Sequence, residues 1–343
     1  MLVNTILAVM WVGLTCYALF GGADFGAGLW DLLAGGTERG RPQRSLIEHT
    51  IGPVWEANHV WLIFVVVMLW TGFPAVFAAV MSTLYLPLTF AALGIIARGA
   101  AFAFRKASTR LWQQRLFGAC FAISSVVTPF FLGAVAGAVA SGRVPPGLAA
   151  GDVIHSWLNP TSVLGGVLAI LTCAHLAAVY LCADAARTDS PIMVRAFRSR
   201  AIISGLISGA VALAGIAILH ADAPELFHGL THRALPLVVL SAVSGVSGIF
   251  LLYRQSLTAA RGSAALAVAA ILWAWGAAQY PVMLEPQLTV HDAAATSPVL
   301  AGALIVFGAG ALLLIPSLAW LYVLFQRRED TPKEEPPVTN SPV

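Results

Sequence analysis

Apolar residues along this chain gather in long, nearly unbroken runs separated by short polar joints, with neither the alternation of half-buried strands nor the one-sided stripe of soluble helices. The runs predict nine membrane helices, at about 3–32, 51–72, 75–103, 114–140, 159–183, 201–220, 234–253, 264–284 and 299–325. Each reaches the ~20 residues that a bilayer core requires. The first, third and fourth are longer, which predicts tilt or projection beyond the lipid. The fold class expected is therefore all-α, a polytopic membrane protein whose helices pack as bundles. Residues 1–325 read as a single transmembrane domain, and 326–343, rich in Pro and Glu, as a disordered cytoplasmic tail.

Composition sharpens this picture. The 343 residues are 59% hydrophobic and only 10% charged, with a mean hydropathy of +0.83; soluble domains carry roughly a quarter charged residues. The net charge of +3 gives no reason to expect a nucleic-acid partner. The four cysteines, Cys16, Cys120, Cys173 and Cys182, lie inside apolar runs without metal-ligand spacing and read as small core residues. Met1-Leu2-Val3-Asn4-Thr5 has no basic stretch before the first run, which reads as a retained anchor.

Charge position sets orientation. Of the 19 Lys and Arg, 16 fall in the first, third, fifth and seventh joints and the C-terminal tail. By the positive-inside rule the N-terminus lies outside and the C-terminus in the cytoplasm, as an odd number of spans demands. Glycine-rich Gly133-Ala134-Val135-Ala136-Gly137 and Gly308-Ala309-Gly310 predict close helix contacts. The tryptophans fit interfacial belts and helix packing.

Few ionisable residues interrupt the apolar runs. They are Asp24 in span one, Glu56 and His59 in span two, Arg98 in span three and His175 in span five, with Asp31 and Glu285 nearer span ends. A carboxylate at mid-membrane costs about 2.5 kcal/mol or more on insertion scales. Glu56 is therefore not there for packing, and proton handling is the reading it invites. The predicted orientation puts Asp24, Glu56 and Arg98 in the cytoplasmic third, where protons would be taken up. Plainer roles compete. Arg98 could snorkel to the headgroups or pair structurally with Glu56, and Asp24 could bond local backbone where glycines loosen its helix. His175 reads as a hydrogen-bonded core residue. His49, Gly52, Glu56 and His59 share one stripe only if a helix runs through Pro53; a helix starting there leaves His49 on a separate surface segment.

Two motifs carry a family resemblance. Gly22-Ala23-Asp24-Phe25-Gly26-Ala27-Gly28, followed by Thr50-Ile51-Gly52-Pro53-Val54-Trp55-Glu56-Ala57-Asn58-His59-Val60-Trp61-Leu62, resembles subunit II of the cytochrome bd-type quinol oxidases. Arg98-Gly99-Ala100-Ala101-Phe102-Ala103-Phe104-Arg105 fits the same family's third span. The resemblance implies a bacterial cytoplasmic-membrane complex that oxidises ubiquinol or menaquinol and reduces O2 to water. It implies that haems b and d and most of the quinol site belong to a partner, subunit I. The present chain would ligate no haem, stabilise that partner and contribute polar residues to a proton path, with single-span accessory subunits in some members. Whether a quinone or lipid lodges against this chain is left open. Glu56 and Asp24 stand where the family has its second-span and first-span acids, and Arg98 matches a family basic residue that would hold Glu56 ionised or order water. A further acid found in many members falls at Gly21 here. Two other readings are carried forward: an ion-coupled transporter, which also uses isolated intramembrane acids, and a haem protein using His59 and His175 as axial ligands.

Overall fold

A computed structural model of the chain describes residues 1–51, 55–108, 110–285 and 288–329, without the side chains of residues 37–39, 51, 55–57, 106, 111, 318 and 321–329. The first span has three pieces: α1 (Leu2–Cys16), a π-helical stretch (Tyr17–Gly21) and α2 (Gly22–Leu32). The polar helix α3 (Thr37–Ile51) fills the first joint. There follow α4 (Trp55–Gly72), α5 (Pro74–Thr83), α6 (Tyr85–Ala107) and α7 (Leu111–Ala140). The second half comprises α8 (Pro160–Arg187), α9 (Pro191–Asp222), α10 (Pro224–Thr231), α11 (Leu235–Tyr253) and α12 (Leu257–Gln279). A small antiparallel hairpin, β1 (Val282–Leu284) and β2 (Leu288–Thr289), leads through α13 (Val290–Ala293) to α14 (Ser297–Glu329). Among the described residues eight helices are long and apolar enough to cross a membrane, and the bent pair α4–α5 makes nine.

Three boundaries differ from those the hydropathy predicts. The third span is not one long tilted helix from residue 75: α5 leaves α4 at 119°, and the chain breaks again at Leu84, whose ψ is 26°. Pro87 explains the second break. It lacks the N–H that would bond the Thr83 carbonyl, and its ring would crowd that same group, so a new helix has to begin beyond Thr83. The sixth span starts earlier than residue 201, because α9 continues through Arg195, Arg198 and Arg200 as a helix projecting beyond its apolar stretch. The eighth starts at Leu257 and stops at Gln279, since Tyr280 precedes Pro281 and adopts ψ 136°. Residues 282–284 are strand. At the C-terminus, α14 continues to Glu329; the rest of the expected tail lies outside the described residues.

Small residues set how closely the helices approach. A Cβ on Gly133 of α7 would lie 2.4 Å from the Gly165 carbonyl oxygen of α8, and one on Gly137 would lie 2.6 Å from Ser162 Cα. The contact predicted for that glycine run is thus present. Gly308 and Gly310, expected to do the same, have nothing within 4 Å; much of α14's surface is exposed aliphatic, including Ile305, Val306 and Leu312. The tightest approach is between α2 and α8, where a Cβ on Gly26 would fall 1.8 Å from the Cys173 carbonyl oxygen.

The joints alternate between two faces. Arg44 of α3 and Arg105 of α6 meet at Asp31, Arg200 of α9 reaches Gln43 of α3, and Arg261 of α12 bonds Asp184 of α8. The first, third, fifth and seventh joints therefore share one end of the bundle. At the other end, Arg143 from the joint after α7 pairs with Asp222 at the end of α9. Asp222 also accepts from the backbone and hydroxyl of Thr161 at the start of α8.

Replacing Gly26 with Ala is expected to push α2 off α8 and destabilise the folded subunit by about 1–3 kcal/mol or more, the usual cost of overpacking. Thermal melting of the purified complex measures this; an unchanged midpoint would mean that the helices do not approach as described.

Candidate functional site

The site begins with the irregular turn at Tyr17–Gly21. A π-helical turn inserts one extra residue's worth of rotation, re-aiming the side chains that follow it, and such turns recur at functional positions. Here it precedes Asp24, in the first turn of α2. Asp24 does not fold back on its own backbone, as the neighbouring glycines had allowed. It is 3% exposed and meets Arg98 of α6, itself 1% exposed. Arg98 Nη1 donates to Asp24 Oδ2 at 2.7 Å and Nη2 to Oδ1 at 2.8 Å. Nη2 also donates to the Asp24 carbonyl at 3.0 Å. This is the bidentate fork-to-carboxylate geometry that makes arginine the suitable cation for a buried pair.

α7 completes the shell. Arg98 Nε donates to Ser125 Oγ at 3.0 Å, and the Ser125 hydroxyl donates in turn to the Phe121 carbonyl at 2.7 Å. The guanidinium lies 4.6 Å from the Phe121 ring centroid and 5.0 Å from that of Phe25, so aromatic faces cover the cation where no acceptor does. Arg98 therefore does not snorkel to the headgroups. Its fork is taken up by Asp24.

Phe25 is the hub. Besides Arg98 it contacts Tyr17, edge-on at 6.5 Å, and the His59 ring of α4 at 6.0 Å. The structure thus brings three of the four sequence-nominated residues, Asp24, Arg98 and His59, around one aromatic ring. The fourth, Glu56, opens α4, but its side chain lies outside the described residues. So does most of the motif around it, from residue 51 to 57. α3 ends at Ile51 and α4 begins at Trp55, so His49 belongs to a separate helix, where its Nδ1 lies 3.0 Å from the Ser45 carbonyl. The Tyr17 hydroxyl is buried with no hydrogen-bond partner.

His175 lies elsewhere. Its Nδ1 is 3.0 Å from the Ala201 carbonyl of α9, and a Cβ on Gly205 would fall 2.9 Å from its ring. It is a strut between α8 and α9, with its ring closed in by backbone. Among the described residues no group of three or more His, Cys, Asp or Glu is arranged to hold a metal ion.

Sequence reasoning missed Ser125, Phe121 and Phe25 as parts of the site. The Ser124-Ser125 step inside an apolar run was the available signal, since hydroxyls are the cheapest polar groups to bring into a membrane.

A polytopic helical membrane protein with a buried, bidentate ion pair and a histidine beside it is the class that fold and site define. Comparisons with known proteins narrow it. The family described as cytochrome bd terminal oxidase subunit II matches over residues 2–325, and the chain belongs to it. It is 28% identical over 239 residues to cytochrome bd ubiquinol oxidase subunit 2 of Bacillus subtilis, covering 69% of this chain and 68% of that protein. It is 22% identical to a putative cytochrome bd menaquinol oxidase subunit II of the same organism, covering 94% of each. The bd oxidase from Geobacillus thermodenitrificans superposes with a TM-score of 0.72 at 25% identity, covering 94% of this chain and 98% of that one. The multi-pass bacterial membrane location follows, and the ion-coupled transporter receives no support.

Substituting Arg98 with Met strands the Asp24 carboxylate and is expected to cost about 3–5 kcal/mol. Adding Asp24→Asn in the same chain should recover part of that loss. Melting of the single and double variants checks both; additive losses would deny the pair. Tyr17→Phe removes an unpaired buried hydroxyl and should hold or raise stability, by about 1 kcal/mol at most.

Proposed function

We propose that the chain acts as the haem-free subunit of a bd-type quinol oxidase and carries protons from the cytoplasm toward the haem-bearing subunit I. The observation that carries this reading is the Asp24–Arg98 pair, buried among apolar helices with His59 across Phe25. Family membership makes this chain part of a quinol:oxygen oxidoreductase. Reduction of one O2 to two waters consumes four electrons from two quinols and four protons. Quinol oxidation releases its protons outside, so taking the consumed ones from inside separates charge without a pump.

In this reading haems b and d, which supply electron transfer and O2 reduction, belong to subunit I, and His175 serves packing through its bond to the Ala201 carbonyl. What this chain's residues do is hold and pass protons. Asp24 and Arg98 together are neutral, so they offer a proton no standing repulsion. Ser125 can accept and donate at once, and His59 and Glu56 supply an imidazole and a carboxylate, groups able to take up and release a proton. On this reading the basic residues of the odd joints lie at the cytoplasmic face, with the N-terminus outside and the C-terminus inside, as the positive-inside rule supports. Ubiquinol or menaquinol serves as donor, and single-span accessory subunits are compatible with the exposed aliphatic faces.

Glu56→Leu, and separately Glu56→Ala, in the assembled oxidase should slow O2 consumption at saturating quinol while the haem spectrum of the complex stays intact. Turnover equal to wild type would remove Glu56 from the path.

A further inference from the structure

Seven residues farther along both helices, the site has a second rung. Arg105 Nη1 of α6 donates to Asp31 Oδ2 of α2 at 2.7 Å, repeating the Asp24–Arg98 pair two helical turns nearer the basic face. Arg44 of α3 brings its Nε to 2.9 Å from Asp31 Oδ1, and Arg105 Nη2 lies 3.3 Å from Glu48 Oε1, also on α3. Side-chain exposure falls steadily inward, from 44% at Glu48 to 20% at Arg105, 5% at Asp31 and 1% at Arg98.

A cavity of about 10 Å³ opens between these groups, lined by Asp31, Ile47, Glu48, Phe102, Arg105 and Phe121. It has room for one water molecule. Phe121 is also the ring that covers Arg98, so a single aromatic side chain separates the cavity from the inner pair. Asp31 Oδ1, buried beside it, accepts no hydrogen bond despite its closeness to Arg44. A carboxylate oxygen this buried requires a donor. Arg44 neutralises that oxygen as an ion pair at 2.9 Å, but a network serving only to fasten α3 to α2 and α6 would not need the space beside it.

We propose that Glu48 and Asp31 form the cytoplasmic mouth of the proton path. This rests on the proton-carrying function proposed above. Glu48 takes a proton from bulk water onto its carboxylate. It then gives that proton to a water lodged in the cavity, which releases another to Asp31, the inner acid of this rung. Each transfer breaks one O–H bond and forms another, and no electrons move. Among the described residues the charged groups lining the cavity are Glu48 from α3, Asp31 from α2 and Arg105 from α6, with Arg44 of α3 paired to Asp31 beside it. From α7 comes only Phe121. Arg200 of α9 lies nearby, stacked on Trp30 and bonded to Gln43.

The test uses Glu48→Gln and Asp31→Asn, each in the assembled oxidase, with O2 consumption followed from acidic to alkaline pH. Without the collecting carboxylates, turnover should fall roughly tenfold at alkaline pH, less than the ~10²-fold typical of a group that transfers the proton directly. It should approach wild type at acidic pH, where protons reach the cavity unaided. Glu48→Asp should restore much of the alkaline rate. Asp31→Asn also loosens α3, so its melting point is recorded; Glu48→Gln alters an exposed group and leaves the fold intact. A wild-type pH profile in both variants would reduce the network to an anchor and overturn the proposal. Asp24→Asn run in parallel separates the two levels. If it slows turnover while the outer variants do not, only the mouth is wrong; if it too has no effect, the proton-path reading fails.

Discussion

A charge cannot stand alone in hydrocarbon, and the centre of this subunit is arranged around satisfying that constraint twice over. Asp24 and Arg98 neutralise each other through a two-pronged contact, and every remaining donor direction that the structure uses ends on a hydroxyl, a carbonyl or an aromatic face. The pairing fixes more than local chemistry. Because Asp24 and Asp31 on α2 meet Arg98 and Arg105 on α6 in the same order, the two helices run parallel and in register. Spans one and three must then leave the membrane on the same side. α7, which follows α6 in the chain and runs antiparallel to it, supplies Ser125 and Phe121, and α8 closes against α2 where Gly26 allows backbone contact.

The same arrangement suits a proton path. An unpaired buried carboxylate would either hold its proton or repel the helices around it; a balanced pair does neither. Paired groups let net charge change by one proton at a time without a large field to overcome, provided that water or hydroxyls bridge between rungs. Rigidity and relay are thus compatible at this position.

At the basic end, α3 ties three joints together through Arg44, Glu48 and Gln43, while Asp222 joins α8, α9 and the loop after α7 at the other end. Polar networks at both mouths therefore do what the apolar middle cannot. Lipid-facing surfaces are as greasy as helix–helix contacts, so hydrophobicity gives little preference for one rotation of a helix over another. Specific polar contacts and small-residue notches supply that choice.

What the sequence determined by itself is whatever one residue's affinity for lipid can reveal. The number of spans, the identity of the costly intramembrane residues Asp24, Glu56, His59 and Arg98, the alternating basic joints and the family motifs were all legible along the chain. Tertiary structure alone decided that Arg98 takes Asp24 as its partner, that His59 meets them across Phe25, and that His175 is a strut. The break at Leu84 was locally encoded by Pro87, but it was hidden within a run that hydropathy treats as continuous. The reason is geometric. Hydropathy sums transfer energies and is blind to rotation, whereas a pair of charges 74 residues apart forms only when helix rotation, depth and the notches left by glycine agree.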